Sequence, residues 1–377
     1  MSRTVLLVAG EVSGDMIAAG LVRAVRARAP DVRFVGIGGD ELKAAGLELR
    51  RHVRDMAVMG LGEVLRRYGF FRRVFRETVE LARALKPDLV VLVDYPGFNL
   101  RFAREARRLG LKVLYYVCPQ VWAWHRSRIG LMAGVVDRLL AIFPFEPAVF
   151  EGTGLRVDFV GHPLADEAAR ARAEPPAPLP WNGEPRVALL PGSRRQEIHR
   201  ILPLMWRAAG LLEKRHPGMS FILAAPSEQV AGLVRQGLAG LAGGPSRAEV
   251  VVGQTRQVLR QARAALVVSG TATIETALME CPQLVVYRTS WLTYAVGKRV
   301  VRVPHLGMVN LVAGRRLCPE LIQHEATPEA MASALEPLLG DTPERAAMRE
   351  GYREVIRALG EGGAADRAAG ILLEEIG

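Results

Sequence analysis

Residues 171–185 read Ala-Arg-Ala-Glu-Pro-Pro-Ala-Pro-Leu-Pro-Trp-Asn-Gly-Glu-Pro, with prolines at 175, 176, 178, 180 and 185. Such a run cannot continue a helix or a central strand, so it divides the chain into an N-terminal and a C-terminal half. In the N-terminal half, apolar runs at 4–9, 32–37, 88–93, 112–117, 138–143 and 156–160 alternate with helical periodicity. In the C-terminal half the alternation restarts, with strands expected at 186–190, 220–225, 249–252, 264–268 and 283–287, and residues 328–377 read as mostly helical. Strands alternating with amphipathic helices are the signature of parallel α/β layers. The sequence therefore predicts two doubly wound, Rossmann-like domains at 1–165 and 186–345, a linker at 166–185 and a helical tail at 346–377. Two such domains facing a cleft would bind ligands at the carboxyl ends of their strands, so the loops after strands matter most.

A chain of 377 residues that is 50% apolar and 24% charged has the composition of a globular protein with more than one core. The strand pattern Val5-Leu6-Leu7-Val8-Ala9 begins without the layout of a cleavable signal, and no apolar run is long enough to span a bilayer. The expected location is the cytosol. Cys118, Cys281 and Cys318 fit no metal-ligand spacing and read as free thiols. A formal net charge of +11 calls for an anionic partner: nucleic acid, sugar nucleotides and other phosphates, or a membrane surface. The basic residues are dispersed and no nucleic-acid-binding motif is present, which disfavours the first.

The first strand ends in Gly10-Glu11-Val12-Ser13-Gly14-Asp15, a turn whose adjoining helix start offers N–H groups to an anion, although it also serves as a plain structural turn. Its glycines lack dinucleotide-fingerprint spacing, and Gly36-Ile37-Gly38-Gly39 stands where that fingerprint wants an acid. The third run ends in Asp94-Tyr95-Pro96-Gly97-Phe98-Asn99. A carboxylate at the end of a central strand can have its pKa raised by burial and become a usable base; it reads equally as a loop cap. Next comes Cys118-Pro119-Gln120-Val121-Trp122-Ala123-Trp124-His125-Arg126-Ser127-Arg128, where rings and cations can hold a sugar phosphate or form core and solvated tail. Gly161-His162-Pro163 reads as a hinge turn.

In the second half, strand 186–190 runs into Pro191-Gly192-Ser193-Arg194-Arg195, which suits phosphate. Strand 264–268 ends in Ser269-Gly270-Thr271-Ala272-Thr273-Ile274-Glu275. A diphosphate would fit the helix start there, with Glu275 accepting from ribose hydroxyls; a capped helix explains the same residues. Two such loops in one domain favour a nucleotide. No Asp-x-Asp pair occurs, so neither a bound metal nor another cofactor is expected.

With these motifs in order, Gly161-His162-Pro163-Leu164-Ala165-Asp166 among them, the chain resembles the lipid-A-disaccharide synthases over nearly its whole length. The resemblance implies a metal-independent glycosyltransferase of the GT-B class. Its reaction joins UDP-2,3-diacylglucosamine to 2,3-diacylglucosamine 1-phosphate with inversion, giving a β-1,6-linked disaccharide and UDP. It further implies Asp94 as general base and Arg194 as a catalytic group beside the donor. Gly192, Ser193, Ser269, Gly270, Thr271, Ala272, Thr273, Glu275 and Asn310 would line the donor; Glu11, Ser13, Gly14, Asp15, Gln120, Trp122 and Arg128 would line the acceptor. The sequence departs from the family at Gly97, where some members carry an aspartate, and at His125, where they carry arginine. Neighbouring readings are another GT-B sugar-nucleotide enzyme, such as a UDP-N-acetylglucosamine 2-epimerase, and, from another class, a nucleic-acid binder. A homodimer is compatible with the resemblance.

Acylated substrates give meaning to residues 58–79. As a helix, this segment places Val64, Tyr68, Phe71, Phe75 and Val79 on one face, widened by Phe70 and Val74, opposite Arg66, Arg72, Arg73 and Arg76. That pattern suits docking on the cytoplasmic face of the inner membrane through Tyr68, Phe70, Phe71, Arg72, Arg73 and Phe75. It also suits a helix packed on a sheet.

Overall fold

The computed structural model describes residues 3–56, 68–124, 126–301 and 303–377. Of the segments singled out by sequence, residues 58–67 and His125 lie outside these described residues. The chain forms two compact units, residues 1–163 with 362–377, and residues 164–361.

Unit 1 is built on a seven-stranded sheet ordered β3-β2-β1-β4-β5-β6-β7. Its strands are β1 (Thr4–Ala9), β2 (Arg33–Gly38), β3 (Leu47–His52), β4 (Leu89–Val93), β5 (Val113–Tyr116), β6 (Arg138–Ala141) and β7 (Arg156–Phe159), each pair parallel. Helices cover both faces, so the central strands are apolar throughout rather than alternating. Val5 to Ala9 and Leu89 to Val93 are almost completely buried. The helices are α1 (Val12–Arg28), α2 (Asp40–Ala45), α3 (Val53–Met56), α4 (Tyr68–Leu85), α5 (Pro96–Arg108), α6 (Val121–Trp124), α7 (Ser127–Val135) and α8 (Glu146–Val149). The strand β3, absent from the sequence reading, is an edge strand whose Leu-Glu-Leu-Arg-Arg-His run is half charged.

Unit 2 repeats the plan with six parallel strands ordered β10-β9-β8-β11-β12-β13. They are β8 (Arg186–Leu190), β9 (Ser220–Ala225), β10 (Ala248–Val252), β11 (Ala264–Val268), β12 (Gln283–Tyr287) and β13 (Glu320–Ile322). Its helices are α9 (Pro163–Ala173), α10 (Arg195–Arg215), α11 (Glu228–Leu238), α12 (Thr255–Gln261), α13 (Thr271–Leu278), α14 (Trp291–Val300), α15 (Met308–Ala313), α16 (Pro328–Leu335) and α17 (Pro343–Leu359).

Two boundaries differ from the sequence reading. The span 166–185 is not a free tether: α9 occupies its start, and the proline-rich part is fastened to unit 2. The Gln257 side chain accepts from the Ala177 N–H at 3.2 Å, Gln261 donates to the Ala177 carbonyl at 2.8 Å, and Arg260 donates to the Ala171 carbonyl at 3.1 Å. Prolines forbid a regular element here, and side chains of α12 supply the missing partners. The expected tail at 346–377 is also divided. α17 stays with unit 2, while α18 (Ala364–Ile376) belongs to unit 1. Arg138, whose side chain is only 4% exposed, explains why: its guanidinium meets Asp158 at 2.7 Å, Glu374 at 2.9 Å and Glu375 at 3.0 Å. Asp158 on β7 meets part of this buried cation's need, and α18 brings the other two carboxylates.

Candidate functional site

Each sheet reverses its winding at one place, and there the connections leave in opposite directions and open a crevice at the strand ends. In unit 1 the reversal lies between β1 and β4. The loops bordering it are Gly10-Glu11 and Asp94-Tyr95, both flagged by the sequence. A Cβ on Gly10 would come within 2.2 Å of the Tyr95 ring, so glycine is required for the two loops to close on each other. Asp94 and Tyr95 take left-handed conformations with φ of 44° and 48°, and Val117, just past β5, has φ of 67°. Non-glycine residues in this region are strained, and for a β-branched valine the strain is severe.

The strained turn is held from below. Asn99 donates to the Asp94 carbonyl at 2.7 Å and to that of Val93 at 3.1 Å, and the Tyr115 hydroxyl also donates to the Asp94 carbonyl. The Asp94 carboxylate is left half-buried at the strand end. Burial first, and the negative charge of Glu11 second, push its pKa from the ordinary 3.8 to about 6, against a hydrogen bond from the Tyr95 N–H. Glu11 is exposed at the start of α1, as is Ser13; Gln120 is exposed after β5, and Arg128 is half-buried near enough to act on Tyr115.

Other acceptor-side candidates have different duties. Asp15 is buried, and its carboxylate caps α2, accepting from Gly39 N–H at 2.6 Å, Leu42 N–H at 3.1 Å and Glu41 N–H at 3.1 Å. It shapes the site and has little left for a ligand. Trp122 is likewise 7% exposed, its ring edge-on to Phe145 at 5.0 Å; Trp124, at 50% exposure, is the ring that faces solvent. The Trp122 indole N–H donates to Glu146 at 3.2 Å. Glu146, wholly buried, also accepts from the Ile142 and Phe143 N–H groups at 3.1 Å each and bonds the Cys118 thiol. Burial pushes its pKa to about 7 despite these bonds. No motif marks Glu146 in the sequence; its one signal is an acid that follows the apolar run at the end of β6. His162 packs on Phe143 at 5.1 Å, and burial lowers its pKa to about 4, which fits the turn reading.

The amphipathic face of α4 is largely core. Val74 is 1% exposed and Phe75 packs edge-on against Phe98 at 5.5 Å and Phe102 at 6.4 Å. Phe75 does not belong to a docking surface, since packing against α5 already uses that face. Tyr68 is 61% exposed, Arg72 and Arg73 are exposed, and Phe70 and Phe71 are half-buried.

In unit 2 the winding reverses between β8 and β11, again between the two loops singled out. Gly192, with φ of 111°, would place a Cβ 2.6 Å from Glu197 and 3.4 Å from Val268 at the end of β11. Arg194 opens α10 with its side chain 80% exposed, its partner being Glu197 at 3.0 Å. Across the crevice, Ser269 donates to the Leu306 carbonyl at 2.7 Å, and Gly270 with φ of 150° turns the chain into α13. Thr271 is exposed and Ala272 half-buried at the helix start. Thr273 is buried and bonds back to the Gly270 carbonyl at 2.8 Å, so it fixes the turn. Glu275 lies 2.9 Å from Arg256 of α12, which also pairs with Glu167 of α9.

Asn310 is not a donor contact. It is fully buried, donates to the Cys318 carbonyl at 2.9 Å and to Glu320 at 2.7 Å, and accepts from the Leu317 and Cys318 N–H groups at 2.8 and 2.9 Å. Its amide is saturated, and it braces the Leu306–Gly307 turn through Glu320, which accepts from both N–H groups. Among the described residues no group of three His, Cys, Asp or Glu side chains converges as a metal cage would.

The family model for lipid-A-disaccharide synthetase matches residues 5–374. The chain belongs to this family. A lipid-A-disaccharide synthase from Geobacter metallireducens is 42% identical over 381 aligned residues, covering 100% of this chain and 98% of the relative. One from Syntrophus aciditrophicus is 42% identical, covering 98% and 96%. Solved structures share the fold: a putative UDP-N-acetylglucosamine 2-epimerase from Listeria monocytogenes aligns at TM-score 0.64 and 15% identity, covering 97% and 94%. A calicheamicin glycosyltransferase aligns at TM-score 0.61 and 17% identity, covering 99% and 98%. The protein is thus a glycosyltransferase with two Rossmann-like units of the GT-B class. Its full-length family match favours this reading over an epimerase, whose likeness is one of fold.

Proposed function

We propose that the protein transfers the diacylglucosaminyl group of UDP-2,3-diacylglucosamine to the 6-hydroxyl of 2,3-diacylglucosamine 1-phosphate, with inversion and release of UDP. The observation that carries this is Asp94: a half-buried carboxylate in a strained turn at the reversal of the first sheet, with its pKa raised to about 6. Near neutral pH such a group is mostly ionised yet more basic than an ordinary carboxylate, which suits it to take the proton as the acceptor oxygen attacks the anomeric carbon. Glu11, Ser13, Gln120 and Arg128 supply polar surface for the acceptor around it. On unit 2, Arg194 and the N–H groups opening α13 receive the diphosphate, so that charge developing on the departing UDP meets fixed donors, without a metal. Glu275 accepts from the ribose.

Support for lipid substrates comes from the family and from the exposed end of α4, where Tyr68, Arg72 and Arg73 adjoin Phe70 and Phe71. This end docks on an anionic bilayer in our reading, on the cytoplasmic face of the inner membrane; among the described residues no helix is long and apolar enough to cross one. The test is product analysis with acylated and unacylated donor and acceptor. Disaccharide formation confined to the acylated pair supports the reading, and turnover of unacylated sugars, or epimerisation of UDP-N-acetylglucosamine, overturns it.

A further inference from the structure

Unit 2 contains an ion-pair chain that runs across three of its elements and ends on α13, the helix that follows the Ser269–Gly270 turn. Arg256, in the first turn of α12, has its guanidinium between two carboxylates: Nε is 2.9 Å from Glu275 Oε1 on α13, and Nη2 pairs with Glu167 on α9. None of the three is a surface pair. Their side chains are 28%, 21% and 27% exposed. A surface pair of this kind would contribute little, but at this depth an unpaired carboxylate is costly, and the partner's position fixes its direction. The ion pair engages Oε1, one of the two carboxylate oxygens of Glu275.

We propose that Arg256 is a positioning residue of the donor site: braced by Glu167, it fixes Glu275 in the orientation from which the carboxylate receives the ribose hydroxyls. This inference rests on the assignment of Glu275 to the ribose. Two physical effects act together. A carboxylate receiving two hydroxyls must be ionised, because its protonated form gives up acceptor capacity and adds a donor. Burial pulls Glu275 toward protonation, the Glu167 charge pulls the same way, and the Arg256 guanidinium opposes both. The second effect is geometric. A guanidinium is a planar fork wide enough to meet two carboxylates at once, and with Nη2 bonded to Glu167 it stays 2.9 Å from Glu275 Oε1, a short ion pair rather than a hydrogen bond, which resists swinging of the Glu275 side chain. Lysine at 256 would supply the charge without the fork.

Calorimetric titration of the full chain with UDP, 2′-deoxy-UDP and 3′-deoxy-UDP separates the inference from the assignment beneath it. The native protein is expected to prefer UDP over at least one deoxy analogue by about tenfold to a hundredfold, the worth of a hydrogen bond to a charged group. Glu275→Gln should lose most of that preference; if it keeps it, the ribose assignment fails and the inference falls with it. Provided Glu275→Gln loses it, Arg256→Gln and Arg256→Lys should lose it as well, while affinity for the deoxy nucleotide changes less than threefold. Retention of the preference in both Arg256 variants overturns the positioning role and leaves the ribose assignment intact. Glu167→Gln leaves both charges of the inner pair in place and tests the brace if the Arg256 variants fold poorly. It should weaken UDP more than the deoxy analogue, and an equal effect on both, or none, overturns the inference.

Discussion

Gly10 lies beneath the Tyr95 ring so closely that a single methyl group at position 10 would stand 2.2 Å from it. The contact joins the loops after β1 and β4, and it holds Tyr95 next to the left-handed Asp94. Gly10→Ala should therefore push on the turn that carries the proposed base. Overpacking costs about 1–3 kcal/mol of stability. The expected loss of turnover exceeds what the unfolded fraction explains, measured as kcat on protein shown folded by its melting curve; near-native kcat would separate the contact from the chemistry.

Asp94→Asn should lower kcat by about 10²- to 10⁴-fold, the usual contribution of a general base, with UDP binding nearly unchanged. Because the base must be ionised, kcat/KM of the native enzyme should fall as pH drops through about 6. The Glu11 charge is one cause of that elevation, so Glu11→Gln should move the acid limb to lower pH. A pH–rate profile on both proteins reads the sign directly, and a limb that stays put dissociates Glu11 from the proton-accepting group.

For the donor side, Arg194→Ala removes an exposed side chain whose partner is Glu197. Stability should change by no more than about 0.5 kcal/mol, as at most surface positions. UDP affinity should drop by roughly tenfold to a hundredfold if the guanidinium receives the diphosphate. Turnover of native protein should survive exhaustive chelation, and restoration by added Mg²⁺ after a loss would contradict fixed-donor stabilisation.

Glu146 gives a stability signature. Its pKa in the fold, about 7, lies above the ordinary 4.5, so the folded state binds the extra proton between those values. Its contribution is complete below about 4.5 and is lost as pH rises through about 7. Glu146→Gln removes this slope. The variant-minus-native unfolding free energy should shift in the variant's favour between pH 5 and pH 8, by something on the order of 3 kcal/mol, in denaturant titrations followed by tryptophan emission. A constant difference across that range places the ionisation elsewhere.

Phe70 and Phe71 pack in part against the core of unit 1, so replacing both by Ser should lower the melting temperature somewhat and reduce binding to liposomes containing anionic lipid by more than the unfolded fraction explains. A large fall in melting temperature with unaltered liposome binding would assign both rings to the core, where Phe75 already resides.

What could be read from residues alone was local. Glycine, a hydroxyl or a carboxylate directly after an apolar run marks a strand end, as Gly10, Asp94 and Ser269 do at three of the four loops at the winding reversals, while after β8 the glycine follows Pro191. The burial of Val5 to Ala9 and Leu89 to Val93 agrees with their unbroken apolar runs. Strands β3 and β13 escaped because one is half charged at a sheet edge and the other spans three residues, too few for any period. Polar saturation was equally out of reach. Asp15 and Asn310 have the side chains expected of ligand contacts, and only the fold reveals that backbone N–H groups have claimed them. Arg256 was invisible for the converse reason, since Glu167 and Glu275 lie at distances in the chain that no spacing rule covers, and the same holds for Trp122 as a partner of Glu146.

Helix α18 has a consequence for how the polypeptide is made. Unit 2 is one uninterrupted stretch, 164–361, and can close as soon as it leaves the ribosome. Unit 1 starts first, and Arg138 can meet Asp158 early, but Glu374 and Glu375 reach it only when α18 arrives at the end. Through that interval the half that would hold the acceptor exposes its unfinished edge to chaperones and proteases while the half that would hold the nucleotide is already whole. A premature stop shortly after residue 361 should accordingly yield a truncated product that retains UDP and has lost acceptor chemistry.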